Sequence, residues 1–558
     1  MTLEQGSAKT VPLPAVRHAP AVRHALTRRA ALRLLIAGAA MTLSACGPAA
    51  PQSPAPGQPA PAGPAAATSA PAAAAPVRGG TLRIGLAREA GELDIQKPTN
   101  MTTRQYARAL FNALTRVDIK GAVSGELAES WTSPTPTSYV FKLRQGIKFH
   151  DGTNLNAAAV KFTMDRVLNP DTKAFYRPEL DGVASVDVVD DVTVKFNLKQ
   201  PDATLPTRLN EGAGWILSPA AVEKWGDDHA SHGSGSGPFQ LVEWIKDDHL
   251  TLRRFEGYWE KDSQGNQLPY LDEVVFKPIP DATVMFTSLR TGNLDIIASI
   301  LPSDLSKVKA DPSLVDVHGP GALRIMGLNT RAPQFSNKAL RQAVAWSIDR
   351  DAIHKAIFFE TGAPGKFLIP STSWGFDAAG SFYTRDVSKA KAALAAGGQP
   401  DGFTFTVLVD NVTEGLQLAQ AVKGQLADVG ITMEVTPLQA SAHTAARRRS
   451  DLQASIAVPS HYPDPDQFVY PYVRTGGNLG WTNYSNPTVD QLVDKARSAA
   501  DQKERQSLYA ELQKLILDES PIVLLHQDAD IKVMSKKLQG YAPSVDGFIR
   551  LPMLWLAK

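Results

Sequence analysis

The chain has 558 residues, enough for several domains of ordinary size. Its 58 lysines and arginines nearly balance its 56 aspartates and glutamates, so no basic excess points to nucleic acid as a partner. Hydrophobic residues make up 43% of the chain, which favours a soluble globular body with a substantial core. The single cysteine excludes an intramolecular disulfide.

The N-terminus has the order of an export signal. Arg28 and Arg29 precede an apolar run over 34–43, and small residues then lead to Cys46. A positive segment, a short apolar core and a small-residue processing site are typical of a secretory signal. The apolar run is too short for a membrane-spanning helix, which needs roughly 20 residues. We therefore expect residues 1–46 to be a signal peptide.

Residues 47–78 are almost wholly Ala, Pro, Gly, Ser and Gln. Such a segment has too little apolar bulk to pack and too much proline to form a helix. It is predicted to be a linker, and the folded body is expected to begin near Gly79.

Strand patterns dominate between residues 118 and 300. Alternating apolar residues over 138–144 and 192–198 predict half-buried strands, as does the earlier stretch 80–86. Between the first two of these, Val160 and Met164 follow helical spacing. The pattern predicts a strand-rich half with occasional helices.

Beyond residue 335 the predicted helices become longer. Helical spacing and capping residues predict helices that begin near Leu340, Asp386, Leu418, Asn486 and Asp501. Short apolar strands are expected at 431–435 and 522–525. Because strand-rich and helix-rich halves are segregated, the pattern favours α/β lobes with insertions over a single (β/α)₈ barrel.

Several phrases along the chain occur together in one order. They are GGTLRI (79–84), LAESW (127–131), FKLRQGIKFHDG (141–152), GSGPF (235–239), LRQA with IDR (340–343 and 348–350), YPDPD (462–466) and YSNPTVD (484–490). In this order they resemble the extracellular solute-binding proteins of the peptide, nickel and opine class, solute-binding family 5. The resemblance covers nearly all of 79–558.

The resemblance implies an α/β, two-lobed, hinged periplasmic-binding-protein fold of class II, with an extra small domain inserted in the first lobe. Lobe I is expected to combine 79–122, 235–318 and 526–558. The inserted subdomain is expected at 123–234, and lobe II at 319–525.

The resemblance also implies a function without catalysis, cofactor or metal. A monomer would capture a peptide or oligopeptide between its lobes and deliver it to the permease subunits of an ABC importer. Leu-Ser-Ala-Cys resembles a lipoprotein processing box, so Cys46 is expected to carry lipid and to hold the protein at a membrane. The site would be extracytoplasmic, in the periplasm or on the outer face of the plasma membrane. Arg28 and Arg29 resemble a twin-arginine signal, and the general secretory route remains the alternative.

Relatives hold the ligand's ammonium group with an aspartate in a Trp-x-x-Asp-Tyr phrase. Here Val458 takes the place of the tryptophan, Ser460 lies between, and His461 and Tyr462 close the phrase. Neutral imidazole is a poor counter-ion for ammonium, and imidazolium would repel it. His461 is therefore expected to donate to a carboxylate, hydroxyl or sugar oxygen; the alternative is a hydrogen bond to a neighbouring loop.

Further candidates for ligand contact come from position or side-chain type. A loop that lines the cleft in relatives matches the stretch at Thr99, Asn100 and Met101. Arg324 is expected to meet an anionic group, or else to form a surface salt bridge. Trp215 and Trp374 are expected to offer flat apolar faces, with core packing as the alternative.

Other features favour plainer interpretations. Asp464 and Asp466 can meet a cationic ligand, but such a Pro-Asp turn more often serves its own backbone. His229 and His232 have no evident third metal ligand, and the basic cluster 447–449 is typical of a solvated helix face.

Three alternatives stay open at this point. The same fold can bind an oligosaccharide or another polar metabolite. A lipoprotein hydrolase acting on a saccharide or peptide would differ by turnover, and a ligand sensor for a membrane receptor would differ in its partner.

Overall fold

The computed structural model describes residues 75–89, 91–97, 101–370, 373–380, 383–449, 451–459, 463–477 and 479–558. Its strands are β1 (Thr81–Leu86), β2 (Thr115–Val117), β3 (Val123–Gly125), β4 (Ala128–Thr135), β5 (Ser138–Leu143), β6 (Val183–Asp190), β7 (Thr193–Leu198), β8 (Phe239–Ile245), β9 (His249–Arg254), β10 (Glu273–Pro278), β11 (Ile296–Ile297), β12 (Leu314–Leu328), β13 (Ala363–Pro364), β14 (Thr404–Asp410), β15 (Thr432–Leu438), β16 (Ala454–Ala457), β17 (Ile522–Ser535), β18 (Leu538–Gln539) and β19 (Trp555–Leu556).

The α-helices are α1 (Met101–Leu110), α2 (Ala157–Leu168), α3 (Leu205–Arg208), α4 (Pro219–Trp225), α5 (Ala282–Arg290), α6 (Leu305–Ala310), α7 (Lys338–Ser347), α8 (Arg350–Ala356), α9 (Val387–Ala396), α10 (Thr413–Ala427), α11 (Ala440–Arg449), α12 (Asp466–Val473), α13 (Pro487–Ser498) and α14 (Gln502–Glu519). Within the described ranges, no helix combines the length and apolar character needed to cross a bilayer.

One large mixed sheet joins most of the strands. Its order is β15-β14-β16-β12-β17-β11-β1-β10-β9-β8, with β13 also paired to β17. Strand β1 is parallel to β10 and β11, and β14 is parallel to β15 and β16. A separate antiparallel sheet has the order β4-β5-β7-β6.

The hydrophobic cores divide the described chain into three regions. The N-terminal region, mainly residues 82–113, 215–317 and 531–556, packs around β1 and β8–β11. The small-sheet region, residues 114–213, packs between α2 and the four-stranded sheet. The C-terminal region, residues 323–525, has two adjoining cores built on α7–α10 and on α12–α14. The exact lobe boundaries expected above remain a prediction.

Two long strands connect the N-terminal and C-terminal regions. Strands β12 and β17 pair antiparallel along their length, from Leu314 opposite Ser535 to Gly327 opposite Ile522. One end of this strand ribbon pairs with β11 and the other with β16. The register shifts twice near its middle, which is where a β-ribbon bends most easily.

The predicted helices are present, and those at Asp386, Asn486 and Asp501 begin at the expected caps. The helix expected near Leu418 begins earlier, at Thr413. Asp386 accepts a hydrogen bond from the Lys389 N–H (2.9 Å), and Asp501 accepts one from the Glu504 N–H (2.8 Å). The short strand expected at 522–525 was underestimated, because β17 continues for 14 residues. The polar run HQDAD (526–530) lies in the middle of β17 and interrupts the apolar pattern of the strand.

Candidate functional site

A cavity of about 420 Å³ lies between the small-sheet region and the C-terminal region. This volume is within the range of small-molecule binding sites, roughly 300–1,000 Å³. Its wall from the small-sheet region consists of Lys173, Ala174, Phe175, Pro178, Glu179 and Arg208. Its wall from the C-terminal region consists of Arg448, Asp466, Gln467, Tyr470, Pro471, Leu479 and Arg497.

Short, well-anchored segments position these walls. Glu179 lies on a 3₁₀ turn, Arg177–Leu180, which is held in place by the fully buried Leu180. On the opposite side, α12 begins at Asp466 and presents Tyr470 one turn later. Arg497 comes from the last turn of α13 and lies 3.2 Å from the centre of the Tyr470 ring.

Direct contacts close the rim of the cavity. The Ala203 N–H donates to the Arg497 carbonyl oxygen (2.8 Å), and the Thr204 hydroxyl donates to Asp466 Oδ2 (3.4 Å). The Arg448 guanidinium lies 5.6 Å from the centre of the Phe175 ring. The structure therefore shows the two regions in contact around the cavity.

Buried ion pairs reinforce this rim. Arg497 Nη2 lies 2.6 Å from Asp466 Oδ2, and Arg208 pairs with Asp202. Burial alone would lower the pKa of Arg497, but Asp466 and Asp202 outweigh it and raise that pKa. Burial alone would raise the pKa of Asp202, but Arg208 and Arg497 outweigh it and lower that pKa. These four charges satisfy one another.

The Glu179 carboxylate differs from these groups. Within the described residues it accepts no hydrogen bond and forms no ion pair. Burial, followed by repulsion from Glu211, raises the pKa of Glu179 to about 7, against the opposing pull of Arg104 and Arg208. Those two arginines are paired with Glu211 and with Asp202 respectively. The cavity thus holds an acid whose charge is not matched by a neighbour.

Two cations of the cavity wall are also without a carboxylate. In the part of the chain that the structure describes, Lys173 and Arg448 form no ion pair, and both are exposed toward solvent. The cavity therefore combines an unmatched acid with unmatched cations, an arrangement suited to a ligand that carries charges of both signs.

Among the predicted contacts, Trp215 is a correction. Its side chain is 1% exposed and lies in the core of the N-terminal region, so it packs rather than offering a face to ligand. Trp374 is partly buried against Tyr509, with the Arg505 guanidinium 4.8 Å from its ring centre. Neither tryptophan lines the 420 Å³ cavity.

Arg324 lies on the strand ribbon rather than on an exposed surface. It donates to Asp528 Oδ1 (2.8 Å) and to Glu414 Oε2 (2.9 Å), beside a second cavity of about 160 Å³. Met101 at the start of α1 is 47% exposed, and Val458 after β16 is 43% exposed. None of the three lines the larger cavity.

The remaining predicted residues lie outside the described ones. They are Thr99, Asn100, Ser460, His461 and Tyr462, together with Arg28, Arg29 and Cys46 of the predicted export signal.

The plainer interpretations of other motifs agree with the geometry. Asp464 accepts a hydrogen bond from the Asp466 N–H and also pairs with Arg505. His229 contacts Asp94, and His232 stacks on Trp225 at 3.6 Å between ring centres. Among the described residues there is no cluster of three acidic, histidine or cysteine side chains that could hold a metal ion.

Sequence reasoning missed the residues that form the cavity. Glu179 and Lys173 carry no motif, and Arg448 belongs to the cluster that was expected to be a solvated face. Their partners across the cavity are about 270 residues or more away in the chain, so no local spacing could have indicated the site.

The chain matches known proteins over most of its length. Residues 122–480 match the family of bacterial extracellular solute-binding proteins, family 5 Middle. The glutathione-binding protein GsiB of Salmonella paratyphi A is 30% identical over 463 residues, covering 80% of this chain and 89% of that protein.

Solved structures agree over most of the chain. The binding protein AgaA from A. tumefaciens R10, in complex with agropinic acid, is 27% identical with a TM-score of 0.77, covering 86% of this chain and 99% of that one. The oligopeptide-binding protein AppA from Bacillus subtilis, in complex with a nonapeptide, is 25% identical with a TM-score of 0.75, covering 87% and 100%.

These matches confirm the predicted mixed α/β fold of the periplasmic binding proteins. The family is one of non-enzymatic proteins, which confirms that the chain is not an enzyme and excludes the hydrolase alternative. Its members act outside the cytoplasm. The chain belongs to the bacterial extracellular solute-binding proteins of family 5.

Proposed function

We propose that this protein is the substrate-binding lipoprotein of an ABC importer and that it captures a peptide or oligopeptide for the membrane permease. The observation that carries the proposal is the 420 Å³ cavity enclosed between the small-sheet and C-terminal regions. Its unmatched acid and cations suit a zwitterionic solute, and a peptide with free ends is such a solute.

The ligands of relatives support this class of solute. GsiB is a glutathione-binding protein, and AppA was solved with a nonapeptide. An association with ABC transporters is named for the peptide-binding relative DppA from Helicobacter pylori. A small polar metabolite is the second candidate, because AgaA binds agropinic acid.

Capture would work by closure about the strand ribbon. The N-terminal and C-terminal regions each have their own core, so each can move as a body while β12 and β17 bend between them. A solute that contacts both cavity walls stabilises the closed arrangement by its differential affinity for that state. The permease would then recognise the closed form.

Location follows from the N-terminal signal. Residues 1–46 would direct export, lipid on Cys46 would hold the chain at the membrane, and residues 47–78 would tether the binding body. Arg28 and Arg29 support the twin-arginine route, and the general secretory route remains the alternative.

A thermal-shift screen tests the proposed cargo. The full chain with Cys46→Ser would be tested against peptides of two to ten residues, oligosaccharides, opines, and nickel with histidine. A ligand at 100 times its Kd stabilises the folded state by about 2.7 kcal/mol, which raises the melting temperature measurably. We expect a saturable shift with peptides, which are recovered intact; shifts restricted to opines or saccharides would contradict the peptide assignment.

A further inference from the structure

We propose that the Glu179 carboxylate receives the protonated amino group of the captured solute. This inference rests on the proposed solute capture in the 420 Å³ cavity and names the group that the cavity recognises.

Glu179 is the acid of the described cavity wall that lacks a partner. Asp466, the other acid there, is held by Arg497 and by the Thr204 hydroxyl. Glu179 makes no comparable contact within the described residues. A half-buried carboxylate without a cation is poorly stabilised, so a ligand cation placed beside it gains a favourable interaction.

The cations near Glu179 already form ion pairs with other carboxylates. Arg208 pairs with Asp202, and Arg104 pairs with Glu211. If Arg208 turned to Glu179, the buried Asp202 would lose its ion pair. If Arg104 turned, it would give up its contact with Glu211, which Arg108 also holds. The charge at Glu179 is therefore available to a ligand.

The groups of the described cavity wall that lack a hydrogen-bond partner include two acceptors, the Glu179 carboxylate and Gln467 Oε1. An ionised carboxylate accepts hydrogen bonds, and an ammonium group offers three donors. Gln467 lines the same cavity, and its Oε1 is a buried acceptor without a partner in the described part of the chain. Two unsatisfied acceptors favour a ligand group rich in donors.

Other points of the cavity wall carry positive charge, opposite to that of Glu179. Lys173 and Arg448 carry positive charge into the cavity without a carboxylate partner in the described residues. They repel a purely cationic ligand, and they attract the anionic end of a solute that carries both charges. A solute with an amino group at Glu179 and an anionic group elsewhere therefore fits better than a simple cation.

The test uses the full chain with Cys46→Ser and four defined compound pools. The first pool holds lysine-free peptides of two to five residues with a free amino terminus, and the second holds the same peptides N-acetylated. The third holds polyamines, and the fourth holds neutral oligosaccharides. Retained compounds are identified by mass spectrometry, and their affinities are measured by calorimetry at pH 8, where Glu179 is ionised. Glu179→Gln removes the charge, and Glu223→Gln on the exposed face of α4 is the matched control.

We expect Glu179→Gln to weaken binding of a retained free-amine compound by at least about tenfold, because a charged hydrogen bond is lost. N-acetylation of that compound should weaken binding to the wild type by a similar factor and have little further effect on the variant. Glu223→Gln should bind like the wild type.

The outcomes separate this inference from the proposed function. Retention of free and acetylated peptides with equal affinity would support peptide capture and overturn the role of Glu179. Retention of polyamines alone, with the expected loss in Glu179→Gln, would support Glu179 and overturn peptide capture. Retention of oligosaccharides alone, or of nothing, would overturn both. Should Glu179→Gln fail to fold, equal affinity of the wild type for free and acetylated compounds would still overturn the inference.

Discussion

Glu179 makes the stability of the ligand-free protein depend on pH. Its pKa is raised from an ordinary 4.5 to about 7, so the folded state keeps a proton that the unfolded state has lost between these values. The contribution of Glu179 to folding stability is therefore greatest below pH 4.5 and is lost as the pH rises toward 7. The groups that face it are Glu211, which raises this pKa, and Arg104 and Arg208, which lower it.

We expect Glu179→Gln to remove this loss. Relative to the wild type, the variant should gain about 2 kcal/mol in free energy of unfolding between pH 5 and pH 8, because glutamine has no charge to bury. Urea unfolding at the two pH values, without ligand, measures the difference. The exposed Glu223→Gln should show no such gain, and an equal effect of Glu179→Gln at both pH values would contradict the raised pKa.

Individual residues were the hardest feature to predict from the sequence. Asp386 and Asp501 were predicted as helix caps because the groups that they bind are three residues away. Glu179 could not be predicted, because its importance comes from an absence of partners that the fold creates. Trp215 shows the reverse case: its chemistry suited ligand contact, but the fold places it in a core.

The strand ribbon depends on close backbone approach at its bend. Gly321 lies within the first shift in register, between Pro320 and Leu323, and a Cβ atom there would be 2.4 Å from the Asp528 carbonyl oxygen. Any side chain at this position must push β12 away from β17. The ribbon can bring its strands together here because residue 321 is glycine.

We expect Gly321→Ala to lower the free energy of unfolding by about 1–3 kcal/mol, the usual cost of overpacking. It should also weaken ligand binding, because it distorts the ribbon about which the regions close. Chemical denaturation and calorimetry measure the two effects.

Gly424 on the exposed face of α10 provides the control, since a Cβ atom there meets no atom within 4 Å. Gly424→Ala should stabilise the protein by about 0.5–1 kcal/mol, as alanine favours a helix. Equal effects of the two substitutions would show that Gly321 has no special role.

Elements were predicted where their pattern is local. The helices α9, α13 and α14 were predicted from a capping residue, and α7 and α10 from an apolar face alone; all five are present. The full length of β17 was not predicted, because the polar run 526–530 in its middle interrupts the apolar pattern and is held by pairing with β12.

The location of the whole protein is predicted to depend on Cys46. Replacing it with serine removes the sulfur that would carry lipid, so Cys46→Ser should move the protein from the membrane fraction to the soluble extracytoplasmic fraction. Fractionation and metabolic labelling with a fatty-acid analogue measure the change. Retention of Cys46→Ser in the membrane fraction would contradict the lipid anchor. The control is Ser44→Ala, a substitution in the same processing site that keeps Cys46.

The overall fold was predicted from ordered motifs rather than from periodicity. Phrases such as 79–84 and 484–490 belong to distant parts of the chain, and their order matched one family before any contact was known. Periodicity alone gave α/β lobes with insertions but no topology. The pairing of β1 with β10 and β11, which returns the chain to its first strand, requires contacts across nearly 200 residues or more.

The strand ribbon also makes the binding protein modular. The chain leaves the N-terminal region at β12 and returns through β17, and Arg324 pairs directly opposite His526. The two ends of the C-terminal region are therefore neighbours on adjacent strands, about 5 Å apart. The C-terminal region, residues 323–525, can thus be exchanged for that of another family member with only two junctions between the chains. Such a chimera would carry one wall of the binding cavity from each protein.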